Sequence, residues 1–267
     1  MTNRLELNWK LDGFVDEQRY YCSTSPINLH SLPIAKAVLA GDMRSYIDSD
    51  IQSNTKYYIR ISSIKNGVEK PSNQIEITPK VTYINKFNSS SNIQFLTASI
   101  APNISVDEVN GGLTVSASAT QNINIKLLDS PPLKNFIAEF DVTFVSVSSN
   151  NASVMFVYRT TNWGVDAGNL AYMFGRSIGG VYLIKGNNGA GTTETDIINV
   201  SAAAIPIGQK IHFKIETNDS THRIYQDGVL LREATEATFS ESGQFGFRSY
   251  TAGPLTFKIE NLTIVEN

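Results

Sequence analysis

The chain has 267 residues, a net charge of −3 at pH 7 and 18% charged residues. A weakly acidic chain has no overall positive field with which to attract nucleic acid or an anionic membrane. Its single cysteine, Cys22, excludes an intramolecular disulfide and a zinc site built from paired thiols. The 41% apolar content, combined with abundant Ser, Thr, Asn, Val and Ile, predicts an almost all-β globular protein.

The first residues, MTNRLELNWKLDGF, contain no basic segment followed by an apolar run. No other stretch approaches the roughly 20 apolar residues of a membrane span. We therefore expect synthesis in the cytosol without a signal peptide, and no insertion into a membrane.

Residues 4 to 78 read as short strands separated by turns. RLELNWKL alternates in polarity, with Leu5, Leu7, Trp9 and Leu11 on one face, as in a half-buried strand. KYYIRISSI alternates in the same way, and KNGVEKPSN connects it to QIEIT with the Asn-Gly and Pro of a hairpin connection.

This first segment resembles a fibronectin type III domain. Trp9 matches the core tryptophan of that family, and the spacing from Ile51 to Tyr57 in IQSNTKYYIRISSI matches its corner motif. The resemblance implies that the tyrosine hydroxyl returns to the backbone. Because only eight residues precede Trp9, we expect the usual first strand to be short or absent, leaving an edge that the second domain or a partner chain covers, which makes a homo-oligomer an open possibility.

The segment LDGFVDEQRYYCSTSPI also resembles the start of small tail-associated proteins from phages and prophages of Gram-negative bacteria. That resemblance implies a location in the virion, with other tail proteins as partners.

The pattern changes at TPKVTYINKF, which places a linker around Pro79 to Tyr83 and predicts domains over residues 1–79 and 84–267. The second domain reads as about a dozen longer strands. Its strongest local signal is IYQDGVLL, a hairpin that turns at Asp227-Gly228. This many antiparallel strands predict two stacked sheets or a jelly roll.

The second domain resembles the concanavalin A-like lectin and glucanase superfamily, including laminin-G-like modules. The likeness is carried by VNGGLTVSA, by GQKIHFKIE followed by THRIYQDGVLL, and by GQFGFRSYTAGPLTFKIENLTI. The resemblance implies a jelly-roll sandwich with one curved sheet whose concave face holds glycans. The same scaffold also hosts hydrolases and structural spacers.

Strand alternation suggests which side chains line that face. If the strands are neighbours, an aromatic and basic carbohydrate-binding groove forms from Arg159, Trp163, Tyr172, Arg176, Tyr225, Arg248 and Tyr250. Tyrosine rings stack on sugars, and guanidinium groups bind hydroxyls or carboxylates, so the groove suits acidic saccharides. The alternative is that each arginine ends a strand in water and each tyrosine is an ordinary sheet residue.

No metal site or cofactor is expected. Two oxygen-rich loops, around Asp166 and Asn169 and around Asn218 and Asp219, leave calcium open, although neither has the carboxylate spacing of a calcium loop. The three histidines, His30, His212 and His222, are scattered and form no catalytic set with a serine and an aspartate.

The strand FIAEFDVTF carries Glu139 and Asp141 on one face, as glycoside hydrolysis requires of its two carboxylates. In the laminarinase-like hydrolases that this region resembles, a third carboxylate follows, where this chain has Phe144. Phe136, Phe140 and Phe144 also share one apolar face, and nothing in the sequence signals a bulge. We therefore expect a core strand without catalytic function.

The sequence thus predicts a protein that binds bacterial surface polysaccharide without cleaving it, as part of a phage or prophage tail. A polysaccharide depolymerase and a purely structural virion protein are the alternatives.

Overall fold

The computed structural model describes residues 4–96, 101–163, 170–186 and 194–267. Its contacts divide the chain into unit 1, Met1–Val81, and unit 2, Thr82–Asn267. Both units are built from antiparallel strands, which confirms the all-β prediction. Nowhere in the described ranges does the chain form an apolar helix of membrane-spanning length.

Unit 1 contains a two-stranded sheet and a five-stranded sheet. The strands are β1 (Leu5–Asn8), β2 (Glu17–Ser23), β3 (Ala37–Ala40), β4 (Ser45–Asp48), β5 (Tyr57–Lys65), β6 (Val68–Pro71) and β7 (Ile75–Ile77). β1 pairs with β4, while the larger sheet has the order β3-β2-β5-β6, with β7 also paired to β5.

The core of unit 1 contains buried side chains from both sheets, among them Leu5, Tyr20 and Ile59, with Trp9 packed against them. Gln18 is fully buried and accepts a hydrogen bond from the Trp9 indole N–H at 2.8 Å. The Tyr57 hydroxyl accepts the backbone N–H of Gln52 at 2.9 Å. This is the return to the backbone that the corner motif implies.

Unit 2 contains longer strands. They are β8 (Thr82–Asn85), β9 (Ile93–Leu96), β10 (Asn103–Val106), β11 (Leu113–Ala117), β12 (Gln121–Leu127), β13 (Phe136–Val147), β14 (Ser153–Asn162), β15 (Leu170–Ser177), β16 (Gly180–Gly186), β17 (Glu194–Ser201), β18 (Lys210–Asn218), β19 (Thr221–Gln226), β20 (Val229–Thr235), β21 (Gln244–Thr251) and β22 (Leu255–Glu266).

These strands form two sheets. The eight-stranded sheet has the order β10-β11-β22-β13-β18-β19-β20, with β8 also paired to β22. The seven-stranded sheet has the order β17-β16-β15-β14-β21-β12-β9. Aromatic rings of the two sheets interdigitate, with centroid distances of 4.8 Å for Phe136–Phe245 and 5.2 Å for Phe140–Phe156. The predicted jelly-roll sandwich is confirmed.

The predicted role of β13 as a core strand is also confirmed. Phe136, Phe140 and Phe144 are all buried, while Glu139 and Asp141 lie on the opposite face. β13 does contain two irregularities that the sequence did not signal, register shifts against β22 between Glu139 and Asp141 and between Phe144 and Ser146. Phe144 remains in the core, so neither shift brings a third carboxylate forward.

The β19–β20 hairpin turns where the sequence predicts. Gln226 pairs with Val229, which leaves Asp227 and Gly228 as a two-residue loop. Both have positive φ, at 49° and 80°, as a turn matching the twist of the flanking strands requires.

Candidate functional site

A row of side chains crosses the outer face of the seven-stranded sheet, on the side opposite the phenylalanine core. Register pairs run from Arg248 to Met155, from Met155 to Gly175, from Gly175 to Tyr182 and from Tyr182 to Asn199. Directly paired residues point to the same face of a sheet, so this row spans five neighbouring strands on one surface.

Gly175, in the middle of this row, makes room for the Met155 side chain, which a Cβ atom at position 175 would overlap. A cavity of about 420 Å³ lies on this face, between the β12–β21 side, where Tyr250 stands, and the β16–β17 side, where Tyr182 stands. Its volume is in the range of small-molecule binding sites.

We call this cavity the outer cleft. Its lining combines amides, carboxylates, a guanidinium group and two tyrosines over a small apolar floor: Asn122, Asn151, Ser153, Met155, Tyr182, Ile184, Glu194, Asp196, Asn199, Arg248 and Tyr250.

The floor continues into a buried apolar cluster on the same face. Met155, Val157 and Met173 belong to it, and Trp163 is half-buried against it. The Trp163 indole N–H donates to Gln244 Oε1 at 3.2 Å, and its ring lies so close to Gly246 that a Cβ there would overlap it. Trp163 therefore lies beside the outer cleft, packed against the cluster that forms its floor.

Arg248 is the central polar group of the outer cleft. Its side chain is 3% exposed and donates to Glu194 and, at 2.7 Å, to Asn122 Oδ1. Its Nε has no hydrogen-bond partner among the described residues. Nearby, Asn199 donates to Asp196 Oδ2 at 2.7 Å. The cleft thus holds an organised set of donors and acceptors.

Charge in the outer cleft is mixed. Glu194 and Asp196 contribute two carboxylates, whereas Arg248 is the one guanidinium among the described residues that line the cleft. The expected preference for acidic saccharides rested on a groove rich in arginine, and this distribution of charge removes that reason.

The seven residues predicted for one groove fall in three places. Arg248 and Tyr250 line the outer cleft and Trp163 flanks it. Tyr225 lies on β19 in the other sheet, where its hydroxyl donates to Glu216 at 2.9 Å and its ring lies under Lys214. The remaining three, Arg159, Tyr172 and Arg176, are buried.

Arg159 is turned away from the expected groove by a local irregularity. Strict alternation would place it beside Met155 and Val157, but β14 loses register with both of its neighbours after Val157 and Tyr158, and Arg159 adopts a positive φ of 51°. Its guanidinium group donates to the carbonyl groups of Lys134, Phe239 and Asp219 at 2.9, 3.1 and 2.6 Å. Burial lowers the pKa of this group. Arg159 therefore holds the loops at Asp219 and Phe239 against the sheet through hydrogen bonds.

Arg176 and Tyr172 lie on the inner face of β15. Arg176 donates to the carbonyl groups of Gly180 at 3.1 Å and Ala203 at 2.7 Å, and to the Gln226 side chain at 3.1 Å. The Tyr172 hydroxyl accepts the backbone N–H of Phe239 at 3.0 Å. The sequence correctly placed Tyr172 and Arg176 on the same face of this strand, but that face points into the sandwich.

Sequence reasoning missed most of the lining of the outer cleft, including Asn122, Tyr182 and the β17 residues Glu194, Asp196 and Asn199. β17 was not predicted as a strand, because its sequence, ETDIINVS, places two isoleucines side by side and so does not alternate. The same point corresponds to a register shift against β16, between Leu183 and Ile184. Tyr182 alternates with the buried Val181 and Leu183, and this was the signal available for it.

Glu139 and Asp141 lie on the outer face of the eight-stranded sheet. Asp141 contacts His212 Nδ1 at 2.9 Å and accepts the Asn261 side-chain N–H at 2.8 Å. His212 Nε2 lies 3.9 Å from Glu139. None of these residues lines the outer cleft.

Across the described residues, no group of three or more His, Cys, Asp and Glu side chains is placed to hold a metal ion. In the loop at Asn218 and Asp219, the Asp219 carboxylate pairs with Lys134 at 3.0 Å and its carbonyl oxygen accepts from Arg159. The other loop proposed for calcium, at Asp166 and Asn169, lies outside the described residues.

No protein-family model and no curated protein sequence matches the chain. Solved structures match its fold, and carbohydrate-binding domains are among them. A carbohydrate-binding module, CBM66 from Bacillus subtilis, aligns with a TM-score of 0.51 and 21% identity, covering 66% of this chain and 96% of the module.

Two further similar structures are carbohydrate recognition domains. That of Emp47p aligns with a TM-score of 0.53 and 12% identity over 70% of this chain and 95% of the domain. That of Emp46p, in a potassium-bound form, aligns with a TM-score of 0.50 and 12% identity over 65% and 88%. At these identities the likeness establishes the fold alone.

Proposed function

We propose that unit 2 binds carbohydrate in the outer cleft and does not cleave it. The observation that carries the proposal is the cleft itself: two tyrosines on opposite sides, an apolar floor, and a buried guanidinium group held between a carboxylate and an amide. The fold shared with carbohydrate-binding domains supports the same role.

Sugars match this lining in two ways. Their hydroxyl groups both donate and accept hydrogen bonds, so they can satisfy the carboxylates and amides of the lining together. Their apolar ring faces pack on aromatic side chains, and Tyr250 is 36% exposed at the edge of the cleft.

The preferred ligand is a neutral saccharide. Glu194 already neutralises Arg248, and Asp196 adds a second negative charge, so an acidic sugar would enter a site with excess carboxylate. A negatively charged ligand without a free cationic partner loses solvation that the site does not replace.

The absence of cleavage rests on β13. Phe144 occupies the position of the third carboxylate and is buried in the core, so Glu139 and Asp141 have no such partner on their strand. Glycoside hydrolysis needs one carboxyl group to protonate the leaving oxygen and a second to attack or to activate water. Asp141 is instead engaged by His212 and Asn261.

The biological setting is proposed from sequence resemblance. We place the protein in a phage or prophage tail, with bacterial surface polysaccharide as the ligand of unit 2. Unit 1 would serve as a fibronectin type III-like attachment module, for which the Tyr57 contact with the Gln52 backbone is supporting evidence. Assembly in the bacterial cytoplasm and release with the virion follow from this setting.

A glycan array tests the proposed function. The full chain, labelled and applied to neutral and acidic bacterial capsule and lipopolysaccharide oligosaccharides, should bind a subset of the neutral ones. A chain that gives no signal above background on any glycan would overturn the proposal. Binding restricted to acidic glycans would overturn the preference for neutral ligands.

A further inference from the structure

One edge of β1 carries main-chain groups without partners. β1 pairs with β4, and the ladder continues to Trp9, whose N–H donates to the Arg44 carbonyl group at 3.1 Å. Hydrogen-bonding direction alternates along an antiparallel strand, so the main-chain groups of Glu6, Asn8 and Lys10 point away from β4. Within the described part of the chain, no backbone hydrogen bond satisfies them.

A groove of about 500 Å³ runs along this free edge. Residues 7–11 line one side, Ile59 and Ile61 of β5 lie in it, and residues 70–73 and Ile75 line the other side. The groove is mainly apolar, and Ile75 in its wall is 60% exposed. An apolar groove beside unpaired main-chain groups has the two features that strand addition uses.

The charge along the groove is positive. Lys10 and Lys70 line it, neither forms an ion pair with a described carboxylate, and no Asp or Glu lines the groove. Lys70 pairs in register with Ser63, which also lines the groove, so the two point to the same side of the sheet. Binding of a segment in the groove would be favoured if the segment carried carboxylates near these lysines.

We propose that this groove is a docking site for an extended segment of a partner protein. The segment adds as a strand to the free edge of β1, places alternate aliphatic side chains over Ile59, Ile61 and Ile75, and carries acidic residues near Lys10 and Lys70. Main-chain hydrogen bonds supply affinity, and the side chains supply specificity.

A second folded copy of the chain does not suit this groove. β6 and β7 of the five-stranded sheet border the groove beside the free edge of β1. We infer that a second copy pairing through its own β1 would bring its five-stranded sheet against them, whereas an extended peptide segment has no second sheet to place there.

The test uses the full chain and a panel of capped seven-residue peptides. The peptides alternate Ile, Val or Leu with Thr, and carry Glu, Gln or Lys at both ends. A Trp163→Phe background leaves Trp9, which lies in the groove, as the remaining indole, so its fluorescence reports binding. At least one peptide with glutamate ends should bind, and its counterpart with lysine ends should bind at least tenfold more weakly.

Two variants locate the peptide. Asn8→Pro removes an outward-facing N–H that β4 does not use, and it should weaken binding at least tenfold. Lys70→Glu should also weaken binding, whereas Lys65→Glu, the same charge change on an exposed residue outside the groove, should not.

Absence of binding across the panel would overturn the proposal, as would equal loss in the Lys70 and Lys65 variants. Sedimentation of the peptide-free chain tests the alternative occupant, which is a second copy of the chain. A dimer that Asn8→Pro dissociates would overturn the proposal in favour of a second copy.

Discussion

Replacement of Arg159 by alanine is expected to destabilise unit 2 by about 3 to 5 kcal/mol, because it leaves buried polar groups without partners. The guanidinium group is 1% exposed and donates to three carbonyl groups, two of them in the loops at Asp219 and Phe239. Hydrogen bonds to charged groups contribute roughly 1.5 to 3 kcal/mol each, and the orphaned carbonyl groups add a desolvation cost. Residue 159 has a positive φ, which is unfavourable for alanine as it is for arginine, so the substitution relieves no backbone strain.

The measurement is urea unfolding in a Trp9→Phe background, where Trp163 is the remaining tryptophan and reports on unit 2. Arg223→Ala is the matched control, since Arg223 is exposed and forms a surface ion pair with Glu233. It should cost no more than about 1 kcal/mol. If Arg159→Ala instead keeps full stability and loses glycan affinity, Arg159 is a ligand-binding residue and its assignment here is wrong.

Acidification from pH 7 to pH 4.5 is expected to destabilise unit 2 through His222. The ring is fully buried, with Nδ1 3.0 Å from the Tyr158 hydroxyl and Nε2 3.0 Å from the Glu236 carbonyl oxygen. Because a carbonyl oxygen only accepts, Nε2 carries the proton and Tyr158 donates to Nδ1. Burial lowers the pKa of His222 to about 4, and the nearby Arg159 charge acts in the same direction.

The direction of this pH dependence follows from proton binding. Between pH 6.5 and 4, the unfolded chain binds a proton at residue 222 that the folded chain does not. The contribution of His222 to the free energy of unfolding is therefore complete above about pH 6.5 and is lost as the pH falls toward 4. The full loss corresponds to about 3 kcal/mol. Carboxyl groups with lowered pKa values, such as Glu236, add their own loss only near and below the ordinary glutamate value of 4.5.

Thermal unfolding at pH 7, 5.5 and 4.5 checks this expectation. His222→Gln retains a donor and an acceptor but does not titrate, and should flatten the dependence over this interval. The exposed His30, which forms no ion pair among the described residues, is replaced by Gln as the control for the substitution. A pH dependence that survives in His222→Gln would show that another group is responsible.

The sequence was sufficient to predict the fold because the local signals agree with one another. The apolar alternation of β13 and the Asp227-Gly228 turn both correspond to what the structure contains. Period-two patterns identify the two faces of a strand, and two-residue turns with Asp-Gly identify hairpins. These signals depend on neighbouring residues only.

The site was harder to predict because it depends on which strands are neighbours. Alternation placed Arg248 and Tyr250 on the same face, and they do meet in the outer cleft. It could not assign Tyr225 to the other sheet or show that the Arg176 face of β15 is the inner one. Arg159 required knowledge of an irregular backbone conformation that its sequence does not signal.

Calorimetric titration of the best array-selected oligosaccharide tests the central claim, that the outer cleft is the binding site. The titrations compare the original chain with Tyr182→Ala and Asp196→Asn in the cleft, and with Tyr225→Ala on the other sheet as control. We predict at least a tenfold loss of affinity in each cleft variant and unchanged affinity in Tyr225→Ala. Unchanged affinity in both cleft variants, with loss in Tyr225→Ala, would contradict the assignment.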